Sequence, residues 1–227
     1  MDTFSMFNGL VFLIHLFLKL YCCTALDFMT PAQPISDGQI LVSSGQSFEL
    51  GFFSPSTSKN RYVGIWYKTT PDVVVWVANR NNPLTDSSGQ FTITNNGSLL
   101  LLNRTGSIIW SSNTSFMETT KNPVAQLLES GNPVVGSRDS LNSKIYAWQS
   151  FDYPSDNLLA GMKLGWELKT GLERYVTWKS SNDPSVGDFT YRLNITGIPQ
   201  TIMAQGSTRK ILSGLWNGVE FRGLVVL

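Results

Sequence analysis

Tryptophan recurs along the chain at nearly regular intervals. Trp76, Trp110, Trp148, Trp178 and Trp216 lie 30 to 38 residues apart. The first two stand in similar segments, VWVAN and IWSSN, and AWQS around the third is a weaker copy. A small repeated unit cannot bury its own apolar face, so the spacing predicts several units that close around a shared aromatic core. Chance spacing of core tryptophans is the alternative.

Short β-type runs separated by Gly, Asn, Pro and Ser fill the rest of the chain, and no stretch after residue 25 holds a helical period. Asn96-Gly97 between two apolar runs is the strongest hairpin signal. In the run Asp188 to Ile195, alternation predicts that Asn194 faces solvent. The predicted runs are Ser47–Phe53, Tyr62–Tyr67, Val73–Ala78, Gln90–Thr94, Leu99–Leu102, Ile108–Trp110, Tyr175–Trp178 and Asp188–Ile195. We therefore expect an all-β sandwich, prism or barrel.

The first 25 residues have a different character. The apolar run Phe7 to Tyr21 is interrupted by His15 and Lys19, so it falls short of the roughly 18–20 residues that span a bilayer. We predict a signal peptide over residues 1–25 with cleavage after Ala25, and hence a secreted, extracellular chain without a membrane span. The segment before the apolar run carries Asp2 and no Lys or Arg. An uncleaved anchor that holds the chain at the plasma membrane is therefore the alternative.

Cleavage there removes the two cysteines, Cys22 and Cys23, together with the single histidine, His15. The remaining chain, roughly 200 residues, is long enough to bury a core without disulfides. It offers no His or Cys ligand and no acidic calcium loop, so we expect no metal and no cofactor. The net charge of +1 gives no electrostatic footprint for nucleic acid. We expect a binding protein without catalytic residues.

Four Asn-x-Ser/Thr triplets favour the extracellular compartment. They begin at Asn96, Asn103, Asn113 and Asn194, and none has proline in the middle. Which of them carries a glycan is open, because such triplets also arise by chance in chains rich in these residues.

Several long blocks resemble a plant family. Leu41–Lys68 (LVSSGQSFELGFFSPSTSKNRYVGIWYK) and Val74–Gly89 (VVWVANRNNPLTDSSG) resemble the bulb-type, mannose-specific lectin domain, as it occurs in S-locus glycoproteins and S-domain receptor-like kinases. Trp148–Gly165, Tyr175–Tyr191 and Gly214–Gly223 resemble the S-locus glycoprotein segment that follows it. The resemblance implies a β-prism of three pseudo-symmetric four-stranded sheets over residues 27–147, with Trp76, Trp110 and Trp148 in its core. It also implies a second, related but incomplete β-domain over residues 151–227.

Mannose-binding members of the resembled family carry the strand pattern Q-x-D-x-N-x-V-x-Y. Its five positions fall on Thr94, Asn96, Ser98, Leu100 and Leu102 in the second unit. In the third unit they fall on Leu128, Ser130, Asn132, Val134 and Gly136. Only Asn132 and Val134 keep the family residue, and the pattern cannot be placed in the first unit. Pro133 lies inside the third-unit strand, where it fits poorly unless the strand is an edge. We expect degenerate sugar sites.

The resemblance implies a recognition role, with pollen recognition the best-known role in the family. We expect the partner to be an extracellular protein ligand or a full-length family receptor. An active lectin for mannose-type glycans and a non-functional truncated product are the alternatives. The cysteine-rich module, transmembrane helix and kinase of the family do not follow in this sequence, which ends in the apolar tail Leu224–Leu227.

Two other sites remain as alternatives. Paired carboxyl groups could serve a glycosidase, and the candidate pairs are Asp152 with Asp156 and Asp183 with Asp188. Both pairs lie among Pro, Ser and Asn, where Asp commonly forms turns. The basic residues Lys59, Arg61, Lys68 and Arg80 near Trp66 and Tyr67 could bind a polyanion, but charges spread over such a stretch are typical of a solvated face.

Overall fold

A computed structural model describes residues 26–114, 122–139, 141 and 145–226. The predicted signal peptide, its cleavage site at Ala25, and Cys22, Cys23 and His15 lie outside the described residues. Within the described ranges, no helix is long and apolar enough to cross a membrane.

The described residues form short strands and almost no helix. The strands of the first two thirds are β1 (Phe28–Met29), β2 (Ile35–Ser36), β3 (Ile40–Val42), β4 (Phe48–Phe53), β5 (Tyr62–Tyr67), β6 (Thr70–Val77), β7 (Gln90–Ile93), β8 (Leu99–Leu102), β9 (Ile108–Ser111), β10 (Pro123–Leu127), β11 (Pro133–Ser137) and β12 (Trp148–Gln149). A 3₁₀ helix follows at Ser150–Asp152. The later strands are β13 (Gly165–Glu167), β14 (Leu172–Arg174), β15 (Val176–Thr177), β16 (Phe189–Asn194), β17 (Gln200–Gln205), β18 (Thr208–Ser213) and β19 (Leu224–Val226).

Strands β1 to β12 form three antiparallel four-stranded sheets, which confirms the expected architecture. In strand order, the first sheet is β3-β4-β5-β6, the second β2-β7-β8-β9 and the third β1-β10-β11-β12. Each sheet ends in a strand that carries one tryptophan of the repeat: Trp76 in β6, Trp110 in β9 and Trp148 in β12. The repeat therefore has three members. Trp216 is 39% exposed and lies outside this group.

The three tryptophans form a compact triad in the core. The ring centroids of Trp76, Trp110 and Trp148 lie 5.8 to 6.1 Å apart, and all three pairs meet edge to face, the arrangement that aromatic quadrupoles favour. Trp76 and Trp148 are buried, and Trp110 is half-buried. The alternating inward residues of the sheets, such as Leu99 and Leu101 of β8, pack in the same core.

Pro133 lies in a central strand and not in an edge strand, where a proline would fit best. Strand β11 lies between β10 and β12. Pro133 is its first residue and pairs with Leu127 of β10, while β12 reaches only Val134 and Val135. A proline is tolerated at the first position of a strand because its missing N–H lies beyond the paired ladder.

The second β-structure contains the β13-β14 hairpin and a five-stranded sheet in the order β15-β16-β17-β18-β19. The predicted strand around Asn194 is present as β16. Its two faces are not clearly distinguished, because Phe189 is 52% exposed and the following Ile195 is 43% exposed. The buried residues of this sheet lie mainly on β17, where Ile202 and Ala204 are almost fully covered.

Candidate functional site

The register of the three tryptophans extends the predicted sugar positions to the first sheet. Trp110 pairs with Leu101 and Trp148 with Val135, and Trp76 pairs in the same way with Ile65. Counting from these pairs places the four strand-borne positions of the first sheet at Phe53, Tyr62, Gly64 and Trp66. The sequence pattern alone could not place these four positions, because residues 54–61 form a longer connection than the Asn96-Gly97 turn of the second sheet.

In the first sheet an aromatic cluster fills these positions. The Phe53 ring centroid lies 5.8 Å from that of Tyr62 and 6.2 Å from that of Trp66. Gly64 leaves room for Phe53, since a Cβ at Gly64 would lie 2.6 Å from the Phe53 ring. The Trp66 indole donates to the Glu49 carboxylate at 2.9 Å. None of these four residues matches the Gln, Asn, Val or Tyr that the family pattern has at its position.

In the second sheet the positions form a tight turn whose polar groups bond to one another. Gly97 has φ 82°, as the hairpin prediction requires. The Thr94 hydroxyl is hydrogen-bonded to the Asn96 side-chain oxygen and accepts from the Ser98 backbone N–H at 3.0 Å. The Ser98 hydroxyl donates to the Thr114 carbonyl at 3.3 Å. Leu100 and Leu102, half-buried on β8, complete the set without a polar group.

In the third sheet the chain segment 149–151 contacts the predicted sugar positions through Asn132. Asn132 is 5% exposed. Its amide donates to the Gln149 side chain at 2.9 Å and its carbonyl oxygen accepts from the Ser150 hydroxyl at 3.1 Å and the Phe151 N–H at 3.2 Å. Val134 is fully buried.

Leu128, Ser130 and Gly136 occupy the other three third-sheet positions. A Cβ at Gly136 would lie 3.1 Å from Leu141. Leu128 is half-buried, and Ser130 is exposed in the turn before Gly131. The one polar residue kept from the family pattern, Asn132, thus connects the start of β11 to β12 and to the 3₁₀ helix that follows it.

The four Asn-x-Ser/Thr triplets, or sequons, have different surroundings. Asn96 and Asn113 are exposed in turns, and Asn103 and Asn194 are half-buried at strand ends. The Asn103 side-chain oxygen accepts from the Thr105 and Ser107 N–H groups at 3.0 and 2.9 Å. Ser115, the last residue of the Asn113 sequon, lies outside the described residues. A glycan on Asn96 would stand directly over the second-sheet positions.

One member of each candidate carboxyl pair, Asp152 and Asp183, is held in structural contacts. Asp152 accepts from Lys163 at 2.7 Å and from Gln149 at 3.0 Å. Hydrogen bonds from Ser185 and an ion pair with Lys179 lower the pKa of Asp183 to about 2. Both carboxyl groups thus bond to neighbouring side chains in turns, as the surrounding Pro, Ser and Asn residues predicted. Among the described residues, no group of His, Cys, Asp or Glu could hold a metal ion.

Asp156 differs from the other carboxyl groups because burial raises its pKa from 3.8 to about 6. Between these two values the folded chain holds a proton that the unfolded chain has released, so stability falls as the pH rises from about 4 to about 6. Two pKa units correspond to about 3 kcal/mol, and screening of this half-buried group reduces the effect to about 1–2 kcal/mol.

We therefore expect Asp156→Asn to stabilise the chain by about 1–2 kcal/mol at pH 7.5 and to have almost no effect at pH 3.5. Urea unfolding at the two pH values measures this difference. Asp72→Asn, at an exposed position, controls for the removal of one negative charge. A stabilisation by Asp156→Asn that is equal at both pH values would contradict the expectation.

The four basic residues near Trp66 do not act as one patch. Arg61 forms an ion pair with Asp37 through two guanidinium nitrogens. The Lys68 ammonium donates to the Gln46 side chain at 2.7 Å. Lys59 is exposed and Arg80 is half-buried. Arg61 and Lys68 are thus paired with different neighbours, which does not favour a surface that binds a polyanion.

Comparison with known proteins agrees with this architecture. The family model described as D-mannose binding lectin matches residues 73–179. The S-locus-specific glycoprotein S6 of Brassica oleracea is 43% identical over 221 residues, which cover 95% of this chain and 50% of that protein. The receptor-like serine/threonine-protein kinase SD1-8 of Arabidopsis thaliana is 43% identical over 194 residues, which cover 84% of this chain and 22% of the kinase. The chain thus spans about half the length of one relative and about a fifth of the other, and the kinase region is not covered.

Two solved lectin structures match the chain at low identity and with a low TM-score. The mannose-specific agglutinin from snowdrop (Galanthus nivalis) bulbs is 20% identical with a TM-score of 0.38, and the match covers 48% of this chain and 87% of that lectin. The two-domain fetuin-binding agglutinin of Scilla campanulata is 13% identical with a TM-score of 0.37, and the match covers 88% of this chain and 79% of that protein.

Proposed function

Because the chain contains a bulb-type lectin domain and belongs to the S-locus glycoprotein family, we propose that it is a secreted, extracellular recognition module that binds protein ligands or partners. The observation that carries the proposal is that, at most of the sugar positions of the three sheets, the polar residues are replaced or bonded within the chain. An aromatic cluster fills the first, turn contacts occupy the second, and the surviving Asn132 of the third makes three internal hydrogen bonds. A sugar site needs unpaired polar groups of fixed reach, because unmet hydroxyl partners are costly.

Mannose binding is the second candidate function. It is favoured by the description of the matched family and by the exposure of Asn96 beside the half-exposed Thr94 and Ser98. If one sheet binds sugar, it is therefore the second.

Retention on a mannose column tests the two candidates. We expect the purified chain, with its N-glycans removed enzymatically, to pass through a mannose column. The positive control is a second-sheet variant that restores the family pattern: Thr94→Gln, Asn96→Asp, Ser98→Asn, Leu100→Val and Leu102→Tyr. Retention of the unaltered chain that free mannose competes away would favour the lectin function over our proposal.

The partner side of the proposal needs a direct binding measurement. We expect the purified chain to bind the extracellular region of a full-length family receptor or a secreted protein ligand, and biolayer interferometry with each purified candidate would measure this. The chain should also be recovered from the extracellular fluid of expressing plant cells. Absence of any stable extracellular protein would favour the alternative of a non-functional truncated product.

A further inference from the structure

A cavity of about 570 Å³ lies beside the tryptophan triad, between the prism and the second β-structure. Its walls come from the ends of β6 and β9, from Tyr153 and from the segment around Tyr175 and Val186. None of the sugar positions described above lines it. The volume lies within the roughly 300–1,000 Å³ range of small-molecule pockets.

Aromatic rings dominate the inner wall. The Tyr153 ring stacks on Trp148 with centroids 5.9 Å apart and planes 13° apart, yet Tyr153 remains 44% exposed. Trp110 and Tyr175 are half-buried and also line the cavity. Exposed flat rings of this kind bind ligands that have an apolar face and polar edges.

The polar wall contains a positive charge without a close partner. Arg80 is half-buried, and within the described part of the chain it makes no hydrogen bond or ion pair. Its charge interacts only at longer range, with the Tyr175 phenol and Asp156, and burial lowers the pKa of its guanidinium. A partly desolvated charge without a partner is costly, and an anionic ligand would offset that cost.

Two exposed asparagines add neutral hydrogen-bonding groups at the rim. The Asn82 amide donates to the Ile109 carbonyl at 3.0 Å, which leaves its side-chain oxygen as an acceptor. The Asn81 side-chain oxygen accepts from the Val186 N–H at 3.4 Å, which leaves its NH₂ group as a donor. The cavity therefore combines flat rings, one cation, and both a donor and an acceptor suited to hydroxyl groups.

We propose that this cavity binds a short acidic saccharide, whose carboxylate pairs with Arg80 and whose ring lies against Trp110 and Tyr175. The rim asparagines take the sugar hydroxyls. The site does not depend on the protein-recognition role proposed above, because it uses different residues.

D-galacturonic acid and D-galactose are matched probes, since they differ only in the carboxylate. Tryptophan fluorescence and calorimetric titration of the purified chain report binding, because Trp110 and Trp148 line the cavity. The Asn113 sequon lies at the rim, so the chain is first deglycosylated. We expect galacturonic acid to bind saturably to the unaltered chain. Galactose should bind the unaltered chain at least about 10-fold more weakly, and galacturonic acid should bind the Arg80→Gln variant at least about 10-fold more weakly. In both cases the hydrogen bonds between the two charged groups are lost.

Arg209→Gln, an identical change at an exposed arginine, should leave binding unchanged. Arg80→Gln should not lower the urea midpoint, because Arg80 makes no hydrogen bond to lose within the described residues. A weaker ligand affinity with a midpoint that is not lowered separates binding from folding. Four outcomes would each overturn the proposal. The acid and the neutral sugar bind equally well, neither sugar binds, or Arg80→Gln has no effect on binding. The fourth is that phenylacetate, an aromatic carboxylate without sugar hydroxyls, binds in preference to galacturonic acid.

Discussion

Replacing Trp76 by alanine is expected to lower the free energy of unfolding by about 3–5 kcal/mol, the range measured for large core truncations. Trp76 is 2% exposed and touches both other rings of the triad. Its indole N–H also donates to the Tyr153 carbonyl at 2.8 Å. The change therefore opens a cavity where all three sheets meet and leaves the Tyr153 carbonyl, just after the 3₁₀ helix, without this donor.

Urea unfolding followed by far-ultraviolet circular dichroism measures this loss. Trp216→Ala is the matched control, because it removes the same side chain from a position that is 39% exposed and contacts mainly Phe221. We expect that control to cost less than about 1 kcal/mol. Equal costs for the two changes would show that the triad is not the shared core of the prism.

Replacing Asn132 by alanine is expected to lower the free energy of unfolding by about 2–4 kcal/mol, because buried groups that lose their partner each cost about 1–3 kcal/mol. The Ser150 hydroxyl and the Phe151 N–H would both lose their acceptor. The 3₁₀ helix at Ser150–Asp152 would then be held less firmly against β11. We expect faster proteolysis just after residue 151 than in the unaltered chain.

Asn95→Ala is the control for this change, since Asn95 lies exposed in the equivalent turn of the second sheet. It should change neither the urea midpoint nor the cleavage rate. If Asn132→Ala behaves like Asn95→Ala in both measurements, the Asn132 contacts do not hold the 3₁₀ helix against β11.

The prism could be predicted where sequence and pairing agree locally. β5 and β8 have the predicted bounds, because their continuous apolar runs are flanked by turn residues. β10 was not predicted, and β11 was expected only from the family resemblance, because each begins with proline and their strand character comes from pairing with each other. β17 and β18 were missed for a similar reason, since their polar residues are ordered by neighbouring strands.

The candidate site was less accessible to sequence reasoning. The degenerate positions of the second and third units follow from a linear pattern, and they remain predictions as to ligand. The first set needed the pairing of Trp76 with Ile65, which no linear pattern contains. The role of Asn132 was also hidden, because its partners lie 17 to 19 residues away. The cavity around Arg80 draws on residues from Trp76 to Val186, so only the folded chain brings them together.

The pairing of β1 with β10 has a consequence for folding during synthesis. Phe28 and Met29 pair with Gln126 and Ala125, roughly a hundred residues later in the chain. A ribosome that adds about 5–20 residues per second needs about 5–20 s to make that stretch. Of the three prism sheets, the third therefore closes last, and until then β1 has an open edge that other nascent chains could pair with.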